Sequence, residues 1–332
     1  METFLIKKSD VAQVLTMEDC VRVTEQAFRL YGEDKVQMPP KSYLYFEDYS
    51  GDLRCMPAYI PEIEGAGIKA VNVHPNNHSQ HLPTVMATIL LTDPKTGFPL
   101  AVMDGTHVTN MRTGAAGGIA SKYLAKSNSK KAAFIGAGMQ AETQVAGMMV
   151  AKPGISEVSI CDLDKDKAQS FAKHCSDKHG LTATVVDSIK AACDGADIIN
   201  CTTSTRKPIV MKEHVPAGAH INAIGADAIG KQELSGQLLS SSKVVIDDWI
   251  QASHSGEINV AVSQGTFTKN DLAAELGQVI AKNLSVRQSD DDVTIFDSTG
   301  LAVQDLMTAW HVYKLLSKDA KKYNLQTVNI FG

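Results

Sequence analysis

From residue 131 onward the sequence alternates between two textures, and that alternation limits the fold more than any other feature. Short apolar runs recur at Ala132–Ile135, Val158–Cys161, Thr184–Val186, Ile198–Cys201, His220–Ile224 and Val244–Ile246, with helix-like segments between most of them. Runs this short suit strands buried on both faces, and the segments between them are long enough for crossover helices. Strand and helix in alternation predict an α/β architecture, a doubly wound parallel sheet with helices on both faces. A further run, Val293–Phe296, precedes a long final helix expected from Leu301 to Tyr323.

The first of these strands leads into Phe134-Ile-Gly136-Ala-Gly138-Met-Gln-Ala141. The GxGxxA spacing at a strand-to-helix turn is the dinucleotide fingerprint of a Rossmann-type domain. Gly136 permits the tight turn, Gly138 lets backbone approach a pyrophosphate, and Ala141 allows close helix–strand packing. The helix that follows offers unpaired N–H groups and the positive end of its dipole to phosphate. Alone the motif is weak. Its context strengthens it, because Asp162 lies 24 residues beyond Gly138 at the end of the next strand, where an acid takes the ribose hydroxyls. A carboxylate there repels a 2′-phosphate, and no arginine follows in Leu163–Lys167, so NAD is expected over NADP; Lys165 and Lys167 read as solvated surface lysines.

The earlier part of the chain has a different texture. Thr16-Met-Glu-Asp19 has the form of a capping box, and Val21, Ala27, Phe28 and Tyr31 recur at helical spacing until Gly32. After Met38-Pro-Pro40 come β-rich runs at Ser42–Phe46, Leu53–Ile60, Ile68–Val73, Val85–Leu91 and Leu100–Met103. Pro94-Lys-Thr-Gly97 between the last two reads as a hairpin turn, so an antiparallel or mixed sheet is expected. A length of 332 residues accommodates both domains. With 32 basic and 37 acidic residues the chain has no broad basic footprint for nucleic acid, and no apolar run approaches a membrane span. The opening Met1–Lys8 lacks signal-peptide features, and the six cysteines form no CxxC pair, so a cytoplasmic protein with reduced thiols is expected.

Several isolated residues admit two readings each. His74, His78 and His81 have spacing that suits a metal, but Pro75 and Pro83 break any helix presenting them together, so no metal site is expected. Lys69 interrupts the apolar run Ile68–Val73 and is either edge-exposed or functional. Arg112 opens the small-residue cluster Thr113-Gly-Ala-Ala-Gly-Gly118. Spacing alone favours close helix packing with a surface arginine over an anion-binding arginine. Asp227 follows the strand Ile221–Ile224, either as a loop cap or at the carboxyl end of a sheet where ligands bind.

Taken together, Gly67-Ile-Lys69-Ala-Val-Asn-Val-His-Pro75, Leu82-Pro-Thr84, Arg112-Thr-Gly-Ala-Ala116, Gly136-Ala-Gly-Met-Gln140, Gly225-Ala-Asp227 and Phe296-Asp-Ser-Thr-Gly300 resemble the ornithine cyclodeaminase/μ-crystallin family. The stretches Gln37–Lys41, Arg54–Pro57, Pro99–Asp104 and Gly256–Val262 are most similar to its archaeal-type alanine dehydrogenases. The resemblance implies a β-rich substrate-binding and dimerisation domain, residues 1–118 with 303–332, completed by the C-terminal helix. It implies an NAD-binding Rossmann domain over 119–302, a homodimer, and a substrate cleft between the domains. It also implies roles. Lys69 is the proton donor and acceptor, Asp227 a second acid/base, and Arg112 an anchor for the substrate carboxylate or the cofactor. Around the cofactor it places Thr84, Arg112, Thr113, Gly136, Gly138, Met139, Gln140, Asp162, Thr202, Gly225, Ala226, Asp227, Lys231 and Ser298, with Ser298 also approaching the substrate.

One departure bears on the substrate. Cyclodeaminases carry an acidic residue just before the Met-Pro pair, suited to the distal ammonium of a diamino acid, whereas this chain has Arg54, with Lys41 close by in sequence. Two cations suit a small carboxylate and repel that ammonium. The expected reaction is therefore NAD-dependent oxidative deamination of L-alanine to pyruvate and ammonia, and its reverse, with Lys41, Arg54, Arg112 and Ser298 contacting the substrate. The alternatives are an imino-acid reductase, an ornithine cyclodeaminase, and a nicotinamide-binding crystallin-like protein without turnover.

Overall fold

The computed structural model describes residues 2–332, with the side chain of His78 outside the described part, so the histidine-loop expectation is followed only at His74 and His81. The chain divides into two compact units, Met1–Arg112 with Leu301–Gly332, and Thr113–Gly300. The expected boundaries, at 118/119 and 302/303, fall a little later than these. No loop marks the first boundary, because a single helix runs from Gly105 to Leu124 across it.

The first unit begins with β1 (Thr3–Ile6) and α1 (Lys8–Val14), followed by α2 (Met17–Gly32). Thr16 caps α2, its Oγ1 accepting from the Asp19 N–H at 3.1 Å, and the helix buries Cys20, Val21, Ala27 and Phe28 on one face. The strands β2 (Ser42–Phe46), β3 (Gly51–Ile60), β4 (Gly65–Val73), β5 (Val85–Thr92) and β6 (Pro99–Asp104) then form an antiparallel meander. Beyond β6 the sheet continues through β1, which pairs parallel to it, and the C-terminal strand Gln326–Val328, so the sheet is mixed. Neither β1 nor the C-terminal strand is legible in the sequence. Asp93–Phe98 closes the expected hairpin, with Gly97 at φ +75°. The C-terminal helix covers Ala302–Ser317 and packs on α2 and on β3 to β5. It stops short of Tyr323 because Lys318-Asp-Ala-Lys-Lys322 offers no apolar face to continue it.

In the second unit an all-parallel, eight-stranded sheet carries β7 (Lys131–Ile135), β8 (Glu157–Cys161), β9 (Thr182–Val185), β10 (Ile198–Cys201), β11 (His220–Ala223), β12 (Lys243–Ile246), β13 (Leu272–Glu275) and β14 (Thr294–Asp297). Their spatial order is β13-β12-β14-β11-β10-β7-β8-β9. Crossing from β7 to β8 or from β7 to β10 reverses the direction of winding, which opens a crevice at the carboxyl ends of these strands. The strand β13 is missed by sequence reading, since Leu-Ala-Ala-Glu lacks a β-branched residue. The helices α3 (Gly105–Leu124), α4 (Met139–Ala151) and α5 (Lys165–His179) follow the expected pattern. Between α3 and α4 the approach is backbone to backbone. A Cβ at Gly114 would lie 2.1 Å from the Thr143 carbonyl oxygen, and one at Gly147 would lie 2.0 Å from that of Gly114. The small-residue cluster after Arg112 is therefore a packing seam. Among the described residues no helix is long and apolar enough to cross a membrane, and no three His, Cys, Asp or Glu side chains converge as metal ligands.

Candidate active site

In the second unit a cleft of about 740 Å³ opens at the carboxyl ends of β7, β8 and β10. Its lining includes Gly136, Gly138, Asp162 and Thr202, four residues singled out from the sequence. Gly136 has φ +97°, and a Cβ there would come within 2.9 Å of the Thr202 hydroxyl, so the turn demands glycine. At Gly138 a Cβ would meet nothing within 4 Å, leaving open space above the start of α4. Met139 is exposed and Gln140 follows it in the first turn of α4, where N–H groups point outward. These residues fit a dinucleotide: an open cradle at Gly138, a helix N-terminus, and an acid on the next strand.

Asp162 does more than the sequence suggests. Its Oδ2 accepts the Ala137 N–H at 2.7 Å and its Oδ1 the Asp164 N–H at 2.8 Å, so the carboxylate braces the glycine turn. Each oxygen retains a lone pair for a ribose hydroxyl.

A second group from the same unit surrounds the loop after β11. Lys231 Nζ pairs with Asp227 Oδ1 at 2.6 Å, and Ala226 between Gly225 and Asp227 is buried. Beneath them lies Glu233, fully buried, which the sequence reading passed over. Burial raises its carboxyl to about 7 against the hydrogen bonds it accepts from Thr203 and Gly225. Glu257, also buried, is pushed well above its ordinary value by desolvation and by Glu233. Ser298, just past β14, has a buried hydroxyl with no hydrogen-bond partner among the described residues. Thr113 is buried at the α3 seam, where its carbonyl accepts Gln144 Nε2 at 2.9 Å.

The first unit holds the strongest electrostatic feature. Lys69 on β4 is 3% exposed and Arg112 on α3 is 5% exposed, so neither is a surface residue. Both point at one carboxylate, Asp305 in the first turn of the C-terminal helix. Lys69 Nζ lies 2.6 Å from Asp305 Oδ2, and Arg112 Nε lies 2.9 Å from Oδ1. Thr109, one turn before Arg112 on α3, accepts from Lys69 Nζ at 3.3 Å, and Gln304 Oε1 accepts from Arg112 Nη1 at 3.3 Å. One of the three Lys69 N–H donors is thereby directed, to the Thr109 hydroxyl. Desolvation lowers Lys69 to about 7; Asp305 opposes the shift, while Arg112 and Lys41 add to it. Burial would raise Asp305, but the charges of Arg112 and Lys69 outweigh it and hold the carboxylate below its usual range. Asp305 itself escaped sequence reading. A lone acid in an amphipathic helix carries no signal until the fold turns it toward two cations.

Arg54 does not stand alone on β3. The sequence presents it as a bare cation beside the substrate, but its Nε and Nη2 each lie 2.9 Å from the two oxygens of Asp52. The two residues alternate on the same face of β3, two apart, which is the spacing that brings their side chains together. Asp52 therefore offsets part of the charge that Arg54 presents, and Arg54 stays a candidate substrate contact. Removing it with Arg54→Gln should cost about 2 kcal/mol of stability through the lost charge-assisted bonds, read as a lower Tm. Thr84 lies in an exposed turn of the first unit, its carbonyl accepting the His74 N–H at 2.8 Å.

A model of the ornithine cyclodeaminase/mu-crystallin family matches residues 1–320. The chain belongs to that family. Among its members, the alanine dehydrogenase of Archaeoglobus fulgidus is 48% identical over 320 residues, covering 96% of this chain and 97% of the relative. An archaeal alanine dehydrogenase dimer with bound NAD superposes with TM-score 0.94 at 46% identity, each chain covered completely. The Δ1-pyrroline-2-carboxylate reductase of Thermococcus litoralis, solved with NADH and L-proline, has TM-score 0.93 at 32% identity, covering 99% of this chain and 100% of that one.

Proposed function

We propose that this protein is an NAD-dependent oxidoreductase that converts L-alanine to pyruvate and ammonia, and the reverse. One observation carries the substrate class. Lys69 and Arg112 both face the carboxylate of Asp305, and Lys41 adds positive potential, so this buried group favours an incoming anion. A substrate α-carboxylate supplies it. The distal ammonium of a diamino acid would meet cations here, which favours a small amino acid over ornithine. The 48% identity to an alanine dehydrogenase supports the choice of alanine.

In this reading Gly136, Gly138, Met139, Gln140, Asp162 and Thr202 hold the dinucleotide, with Gly225, Ala226, Lys231, Ser298, Thr84 and Thr113 as further candidates. When bound, NAD supplies the acceptor for a hydride from the substrate α-carbon. Arg112 orients the carboxylate. Lys69, its ammonium pushed down to about 7 by burial, takes a proton from the amino group or from the water that adds to the imine carbon; Asp227 is the second candidate for proton transfer. A dimer belongs to the same proposal, supported by the exposed Leu44, Tyr45 and Tyr49 on and just after the edge strand β2. So does a cytoplasmic setting, given six free thiols.

The decisive assay follows NADH oxidation with pyruvate plus ammonium, with Δ1-pyrroline-2-carboxylate, and with other keto acids, beside ornithine turnover. The highest kcat/KM is expected for pyruvate plus ammonium. A higher value for the cyclic imine makes the protein an imino-acid reductase, faster ornithine turnover makes it a cyclodeaminase, and NADH binding without turnover leaves a carrier. On the cofactor side, Asp162→Ala should raise the Kd for NADH about 10-fold or more, since both a ribose partner and the brace on Ala137 are lost. Fluorescence titration of NADH measures it, and an unchanged Kd would remove Asp162 from the cofactor site.

A further inference from the structure

Three buried side chains hold the loops at the carboxyl ends of β10 and β11, and none of them belongs to the fingerprint. Glu233 Oε1 accepts the Thr203 N–H at 2.6 Å and the Thr203 hydroxyl at 2.7 Å. Its Oε2 accepts the Gly225 N–H at 2.8 Å. One carboxylate thus joins the segment that follows β10 to the segment that follows β11. The fit leaves no slack, because a Cβ at Gly225 would lie 1.9 Å from the Thr203 carbonyl oxygen. Glu233 is held in turn from below: its own N–H and that of Leu234 donate to Glu257 at 2.6–3.0 Å. Asn259, two residues further on, accepts the Gly230 N–H at 2.9 Å and donates to the Lys231 carbonyl at 2.8 Å.

The stretch Gly256–Val262 therefore acts as a platform for the loop that carries Asp227, Lys231 and Glu233. Thr202 and Thr203, on the other side of the carboxylate, line the dinucleotide cleft. We infer that Glu233 is a positioning residue for the cofactor: it fixes Thr203 against Gly225 and so sets the shape of the cleft that receives the dinucleotide. It touches no substrate in this role. The inference rests on the NAD reading proposed above.

Glutamine is the informative replacement. It is isosteric, yet either orientation of its amide turns an NH2 donor toward a backbone N–H, at Thr203 or at Gly225, where only an acceptor fits. In Glu233→Gln the Kd for NADH should rise about 10-fold or more, the loss expected when a charge-assisted bond becomes a donor–donor contact. Thr203→Val, which keeps the N–H but removes the hydroxyl that donates to the carboxylate, should raise Kd about 10-fold or more, the value of one charge-assisted bond.

NADH fluorescence titration of the parent protein comes first. If the parent does not bind NADH, the NAD reading fails and the inference falls with it. If the parent binds and Glu233→Gln has a lower Tm with unchanged Kd, the carboxylate is merely structural and the inference is overturned. Should Glu233→Gln fail to fold, the Kd of Thr203→Val decides: raised in support, unchanged against.

Discussion

Replacing Lys69 with alanine should lower kcat for alanine deamination by about 10²–10⁴-fold, the usual loss when a positioned acid/base is removed. NADH binding should change little, because Lys69 is not among the residues that line the dinucleotide cleft. Lys69→Arg is the sharper experiment. It keeps the positive charge facing Asp305 but cannot give up its proton at accessible pH. With the parent enzyme, kcat/KM for deamination should rise with pH through about 7, as the ammonium of Lys69 in the free enzyme becomes the amine that accepts a proton. In Lys69→Arg that limb should vanish along with most of the rate. Near-normal turnover in either variant, with only a lower Tm, would make Lys69 a structural lysine.

Removing the charge of Asp305 should have the largest effect on stability. Asp305→Asn leaves Lys69 and Arg112 buried without their common counter-ion, and breaking a buried pair in this way costs about 3–5 kcal/mol. A Tm roughly 5–10 °C lower is the corresponding readout. The variant also tests the electrostatics. Asp305 is the largest influence holding Lys69 up against desolvation, so its loss should move the pH limb of the rate downward from about 7. A limb that stays in place would mean that the titrating group is not Lys69, with Asp227 the next candidate.

Much of this architecture is legible in the sequence, for specific reasons. The strands β7, β8, β10 and β12 are buried on both faces, so their apolar runs stand out from the polar turns around them. Gly136 and Gly138 announce themselves because phosphate binding is done by backbone, which only glycine exposes. What stays hidden depends on distance in the chain. Asp305 meets Lys69 and Arg112 across 236 and 193 positions, and no local pattern encodes that encounter. Glu233 is hidden differently: in Gly-Lys-Gln-Glu-Leu it reads as one more solvated charge of a polar loop. The pairing of Arg54 with Asp52 lies within reach of the sequence, since residues two apart on a strand share one face.

The glycine seam between α3 and α4 has a consequence for how this chain can vary. Where two helices touch through carbonyl oxygens and α-carbons, no neighbour can shrink to admit a larger residue, because the obstacle is the main chain itself. Ordinary core positions drift in pairs, one side chain growing as another recedes. Gly114, Gly118 and Gly147 have no such partner, so their freedom is foreclosed one position at a time. The helix that opens at the phosphate-binding turn is thereby anchored by atoms that substitution cannot alter.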